Sequence, residues 1–443
     1  MNKYRRSLLW LSILTLILKM TGLGFADSPK TAWKKTYTNG GEIVGLAVDI
    51  QDNIYLTGTT KSSSSYPDFL TVKYSPSGRL QWAARYGQAG RDDRPSSIKV
   101  DKSGNVYVTG SSDGGSSAYD FLTVKYNTKG SLQWARRLNN ADNHSDFAND
   151  LAVDSAGNVF VTGGARFDAS DYDIVTVKYG PSGQIIWIMR WSGPGILPSL
   201  KDDFGQYIAT DATGNVYITG TSEFSSQDIV TIKADRSGQV LWASRYDGTS
   251  HQYDKPSGLA VDRAGNVTVA GNSDGLNSDQ DMILLHYAGS GSYKWRKRYT
   301  SSGRYPDDVQ DLFLDSLGNA YITGSTNVRG NNNFVTIKFA ANGTKKWSAF
   351  YDDADYSDGA YSLDVDGAGN VYVTGDCQSQ TLSNDIVTLK YDPQGKRAWL
   401  VRYSGPTEFD HARAVAVDSS GAVIVASDGL RGDWTIIKYI QGP

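Results

Sequence analysis

Glutamate is almost missing from this chain, with three residues (Glu42, Glu223 and Glu408) against 44 aspartates. An acid population so biased toward the shorter side chain is built to reach nearby backbone rather than to solvate helix faces. It also leaves no glutamate pair for a glycosidase. A single cysteine, Cys377, excludes an intramolecular disulfide. Stability must come from packing, which a chain of 443 residues can supply by burying about three quarters of its surface. The four histidines (His144, His251, His286 and His411) form no His-Glu-x-x-His motif, and there is no nucleophile elbow or phosphate loop. Gly289-Ser-Gly291 falls in a turn. No catalytic residue is assigned.

Long apolar runs are equally scarce. The one at Leu8–Leu18 is too short for the roughly 20 residues a bilayer span needs. Lys3, Arg5 and Arg6 precede it and Gly24-Phe25-Ala26 follows, the pattern of a signal peptide over residues 1–26. Export is therefore expected, to a secreted, periplasmic or cell-surface location, with no transmembrane segment. Cleavage would remove four basic residues and no acid, taking the formal net charge from −3 to about −7. Such a protein has no basic footprint for phosphates, which excludes nucleic acid as a partner.

What the chain has in abundance is repetition. Trp33, Trp82, Trp134, Trp187, Trp242, Trp295, Trp347 and Trp399 recur at steps of 49 to 55 residues. Units of about 52 residues fill residues 27–443 as one domain. Each unit holds four short runs rich in Val, Ile, Thr, Tyr and Trp, separated by Gly, Asp, Asn, Ser and Pro; in the second they begin at Ser97, Asn105, Phe121 and Leu132. Asp-x-x-Gly-Asn, as in Asp101 to Asn105, marks a tight hairpin. This predicts an all-β, eight-bladed β-propeller of four-stranded antiparallel blades, with seven blades as the alternative. The phase predicts how the ring closes. A lone fourth strand starts the domain at Trp33–Tyr37 and a lone third strand ends it at Trp434–Ile440, so their pairing completes a blade and removes two open edges.

The segments "VDSAGNVFVTG" (153–163), "DIVTVKY" (173–179) and "GQIIW" (183–187) resemble the bacterial SBBP family of β-propeller repeats. The likeness covers nearly all of residues 27–443 and implies a propeller in an exported or surface protein, without an activity. "SGRLQW" (77–82) is similar, over one turn and strand, to the tryptophan motif of quinoprotein-type propellers.

A residue present in every unit serves what every unit does, which is folding; localised function belongs to the departures. Asp49, Asp101, Asp154, Asp211, Asp262, Asp315, Asp366 and Asp418 end the first strands, and Asp68, Asp120, Asp173, Asp228, Asp281, Asp385 and Asp433, with Asn333 in the remaining unit, open the third. Both sets read as caps on turn N–H groups. A third set, Asp93, Asp146, Asp203, Asp254, Asp307, Asp358 and Asp410, precedes the first strands and is expected at the channel mouth. A ring of bare charges would repel itself, so each reads first as hydrogen-bonded locally; the seven, with His251, His411 and Tyr253, are nonetheless the candidate ligand-binding residues. Clustered oxygens would suit Ca²⁺; otherwise no cofactor is expected, and the metal content is open. Lys73, Lys125, Lys178, Lys233, His286, Lys338, Lys390 and Lys438 recur on the third strand and read as structural hydrogen-bond or ion pairs. Phe147, Phe204, Tyr253, Tyr305, Tyr356 and Phe409 beside the third set read as packing between blades. The expected function is a monomeric, non-enzymatic binding protein that recognises a polar partner, protein or glycan, through its variable loops. The alternative is a hydrolase or lyase with an axial Asp/His site on the same face.

Overall fold

The structure, a computed structural model, describes residues 28–442 apart from 61–65, 89, 116–117, 140–143, 168–170, 194–201, 224–225, 276–279, 302–304, 329, 354–356, 379–382, 406–409 and 430–431. The expected leader, residues 1–26, lies outside the described residues. Eight four-stranded antiparallel sheets follow one another along the chain. Blades 1 to 8 have first strands at Gly40–Val48, Asp93–Val100, Phe147–Val153, Asp203–Thr210, Asp254–Val261, Asp307–Leu314, Asp358–Val365 and Asp410–Val417. Each first strand touches those of both neighbouring blades, and blade 8 returns to blade 1, so the first strands form the wall of a central channel. The structure is an eight-bladed β-propeller, as the spacing of tryptophans predicts, and the seven-bladed alternative falls.

Closure happens where the phase of the repeat places it. Lys30–Tyr37 pairs antiparallel with Trp434–Ile440 and becomes the outer strand of blade 8. Trp434 is fully buried at this seam and its Nε1 donates to the Gly41 carbonyl at 2.8 Å. Residues more than 390 positions apart thus lock the ring, and two sheet edges are satisfied by one pairing.

Second and third strands are buried on both faces between adjacent blades, which is why they read as continuous apolar runs rather than alternating ones. Their polar interruption is a buried threonine pair, such as Thr109 with Thr123 at 3.0 Å, whose hydroxyl also donates to the Leu122 carbonyl. The glycine after the first threonine has a steric reason. A Cβ on Gly110 would stand 2.0 Å from the Arg94 carbonyl, because the first strand bulges against it there.

Recurrent tryptophan and lysine together latch each blade to the next. In blade 3 the Trp187 Nε1 and the Lys178 Nζ both donate to the Arg236 carbonyl, in the turn of blade 4, at 3.1 and 3.3 Å. Lys178 also lies over the Phe160 ring at 5.0 Å. Trp242 and Lys233 share the Gly289 carbonyl in the same way, and Trp33 and Lys438 share that of Pro76 across the seam. The lysine partner is therefore mostly a carbonyl dipole and an aromatic face; Lys438 alone among the described ion pairs of this set adds a carboxylate, Asp418, at 2.6 Å. His286 takes the lysine place in blade 5 and stacks on Trp295, centroids 4.7 Å apart.

Candidate functional site

Two of the three aspartate sets are consumed by the fold. Asp101 shows the first: Oδ1 accepts the N–H groups of Ser103 and Asn105 at 2.9 Å, and Oδ2 takes the Asn105 amide and the Tyr107 hydroxyl. That is the turn cap expected from the sequence. The second set does something else. Asp120 meets Arg137 Nη1 at 2.7 Å and Asp173 meets Arg190 Nε at 2.5 Å, with equivalent ion pairs between Asp68 and Arg85, Asp228 and Arg245, Asp281 and Arg298, and Asp385 and Arg402. Reading them as turn caps missed the arginine, although the sequence carried the signal. Arginine stands three residues after the repeat tryptophan in these six units, and in the unit where Asn333 replaces aspartate, Phe350 replaces arginine. Blade 8, with Asp433 and Thr36, departs from the pairing.

The third set opens the first strands at the expected end of the propeller, but its side chains point into their own blades. Asp93, Asp146, Asp203, Asp254, Asp307, Asp358 and Asp410 are between 0 and 5% exposed. Six of them accept an N–H from the loop before the strand, at 2.5 to 3.0 Å: Gln88 to Asp93, Gly193 to Asp203, Gly248 to Asp254, Ser301 to Asp307, Asp353 to Asp358 and Gly405 to Asp410. Asp146 accepts from Arg166 N–H at 3.2 Å. The second strand adds a hydroxyl donor, Ser112 to Asp93 and Thr326 to Asp307. Burial pushes the Asp203 carboxyl up to about 6 and that of Asp358 up to about 7, the latter helped by Asp352. One carboxylate per blade top is a sequestered brace, not an open ring of ligands.

The remaining candidates fall at two separate places, beside Asp254 before blade 5 and on blade 8. His251 and Tyr253 sit exposed on the loop before blade 5, where His251 Nδ1 and Asp247 Oδ2 are 3.0 Å apart. His411, on blade 8, shares a 2.8 Å hydrogen bond with Asp376 Oδ2, and that bond raises its pKa. Asp254 has oxygens within 4.8 Å of those of Asp228 and Asp247, a spacing that could hold a cation. Arg245 already lies against Asp228, so part of that negative charge is compensated. Of the six aromatics, Phe147 and Phe204 pack between blades as expected, Tyr253 and Tyr305 are exposed, and Tyr356 and Phe409 lie outside the described residues.

What differs from blade to blade is the residue after each third-set aspartate. Around the channel mouth it is Glu42, Arg94, Phe147, Phe204, Lys255, Asp308, Gly359 and His411. Blades 2 to 8 share the backbone position, and all of them but blade 7, with Gly359, offer one variable side chain there. Blades 2 to 4 present a cavity of 610 Å³ whose lining includes Arg94, Tyr119, Phe147, Phe204, Asn149 and Gln206. Blades 6 and 7 present a smaller polar one of 250 Å³ with Tyr361, Asp376 and Asn384. Deeper in the channel the wall is stapled by side chains: Asp150 Oδ2 accepts from Ile208 N–H of the next blade, and Asp311 Oδ2 from Leu363 N–H. Burial pushes the Asp311 carboxyl up, against the opposing pull of the Lys99 ammonium on the facing wall.

With this geometry in place, comparison with known proteins is informative about the repeat. The SBBP "Beta-propeller repeat" matches residues 81–116, 133–164 and 294–331. The chain carries SBBP β-propeller repeats. An uncharacterized WD repeat-containing protein of Acanthamoeba polyphaga mimivirus is similar at 22% identity over 442 residues, covering 86% of this chain and 29% of that relative. The chain thus spans less than a third of the relative's length. Two crystal structures of Sqt1 from Chaetomium thermophilum are similar with a TM-score of 0.56. Their sequence identities are 11% and 10%, and they cover 91% and 92% of this chain and 97% of theirs. At that identity the likeness speaks for the fold of these SBBP repeats alone. Among the described residues no helix is long and apolar enough to cross a membrane.

Proposed function

We propose that this propeller is a non-catalytic binding protein that holds a polar partner at the channel-mouth end. One observation carries the reading: aspartates common to the units are committed to internal bonds, while the neighbouring mouth position carries a different side chain in nearly every blade. A fold with shared braces and one free position per blade is suited to recognition. The similarity to a WD repeat-containing protein supports a protein-interaction role, and the loop composition supports a glycan equally. On this reading the protein works alone and outside the cytoplasm, delivered by residues 1–26, and any Ca²⁺ would be an accessory.

The test is a binding screen of the immobilised full chain against glycans and surface proteins. A genuine ligand is lost on substitution at one or more mouth positions, tested as Phe204→Ala, Lys255→Glu and Asp308→Lys, and kept on Lys102→Glu at the opposite end. The reverse pattern would overturn the proposal. A second reading, a hydrolase or lyase, rests on the His411–Asp376 pair, an oriented imidazole whose carboxylate lines the 250 Å³ polar cavity. Turnover abolished by His411→Ala would favour it.

A further inference from the structure

We infer that the cleft of blades 2 to 4 at the channel mouth is a binding site for a neutral oligosaccharide; this deepens the binding reading above and rests on it. Four aromatic rings run across the three blades in unbroken contact. Tyr119 to Phe147 is 5.9 Å between centroids, Phe147 to Tyr172 is 5.9 Å and Tyr172 to Phe204 is 4.7 Å. Three of the four line the 610 Å³ cavity, and all four are half-buried, so part of each ring remains accessible.

The other blades serve as internal controls. Where blades 3 and 4 have Phe147 and Phe204, the rest have Glu42, Arg94, Lys255, Asp308, Gly359 and His411. Where blades 2 and 3 have Tyr119 and Tyr172, the rest have Pro67, Gln227, Gln280, Asn332, Asn384 and Gly432. Five of the other six blades fold with no ring at the first of these positions and the sixth has the His411 imidazole, so folding does not demand the ladder. Backbone has also been adapted to it. Gly164 stands where the other blades have Thr, Ser, Asn or Asp, and a Cβ there would lie 2.3 Å from Phe204 Cδ1.

The chemistry of the lining selects the ligand. Aromatic faces stack on the C–H faces of sugar rings, and the cleft has the volume and the mixed apolar and polar walls of a small-ligand site. Gln206 and Asn149 also line the cleft and add polar groups to its wall. The charge of Arg94 is met within the lining: it holds Asp92 through Nε and Nη2 at 2.9 to 3.0 Å, and the Tyr119 hydroxyl donates to the same carboxylate. Arg166 is engaged over the Tyr172 ring at 4.6 Å, and a neutral polyol needs no counter-charge from either arginine.

The experiment is calorimetry of the full chain with neutral cello-, xylo-, manno- and maltohexaose, with oligogalacturonate and an acidic peptide as comparators. Binding of at least one neutral hexaose is expected. Phe204→Ala and Phe204→Lys should each weaken it at least 10-fold. Because blade 5 folds with Lys255 at the same place, Phe204→Lys should keep a cooperative thermal melt, which separates lost recognition from lost folding. Retained affinity in both variants, or preference for the anionic comparators, would overturn the site assignment. Absence of all saccharide binding would do the same. If a protein ligand is then found that responds to Lys255→Glu, the broader binding reading stands while the saccharide site fails.

Discussion

The pairing of the second aspartate set with arginine can be tested against a control the chain already contains. Asp120 is 1% exposed and faces Arg137 Nη1 at 2.7 Å, while the same guanidinium donates to the Ser112 carbonyl at 2.9 Å. Arg137→Phe leaves a buried carboxylate without its counter-charge, a loss worth about 3 kcal/mol for a pair with one half-exposed member. Asp120→Asn removes the charge and keeps the shape, and Arg137 retains Ser112, so about 1 kcal/mol is expected. The double variant recreates the Asn333 and Phe350 combination that blade 6 tolerates naturally. It should cost about 1.5 kcal/mol instead of the additive ~4, a coupling of roughly 2.5 kcal/mol. Equilibrium urea denaturation followed by tryptophan fluorescence at pH 7 measures all three. A double variant within about 0.5 kcal/mol of additivity would show that the ion pair is incidental to the fold.

Three further outcomes follow from the geometry. Trp434→Ala opens a void at the seam between the chain ends and should cost about 3–5 kcal/mol, seen as early proteolysis of the 30–37 strand. Asp358, pushed up to about 7 from the usual carboxylate value near 4, binds its proton more tightly folded than unfolded. It therefore subtracts stability progressively as pH rises from about 4 to 7, at most ~4 kcal/mol, and Asp358→Asn should flatten the pH dependence of urea midpoints across that window. Gly157 adopts φ +78° in its turn with nothing crowding a Cβ, so Gly157→Ala should cost about 1 kcal/mol from backbone conformation alone, measurable by thermal melts.

Much of the architecture was legible in the residues because a propeller repeats local rules. Tryptophan spacing, Asp-x-x-Gly-Asn turns and β-branched runs act within one unit, and eight copies average out ambiguity in any one of them. The phase of the repeat specified closure for a similar reason: a lone fourth strand before the first full blade and a lone third strand after the last complete each other. The first aspartate set was equally readable, since its turn-capping bonds, as at Asp101, reach only two to six residues.

Direction and partnership across longer separations were decided by the tertiary structure. Asp93 and its counterparts could be placed before the first strands from the sequence, but their partners, N–H groups of the loops that precede those strands, were set by the tertiary structure. Asp120 and Arg137 are 17 residues apart and join only because third and fourth strands align in register. Most of all, the aromatic cleft exists only after three blades are set side by side around the axis. No single repeat contains Tyr119, Phe147, Tyr172 and Phe204, and packing alone makes them one surface.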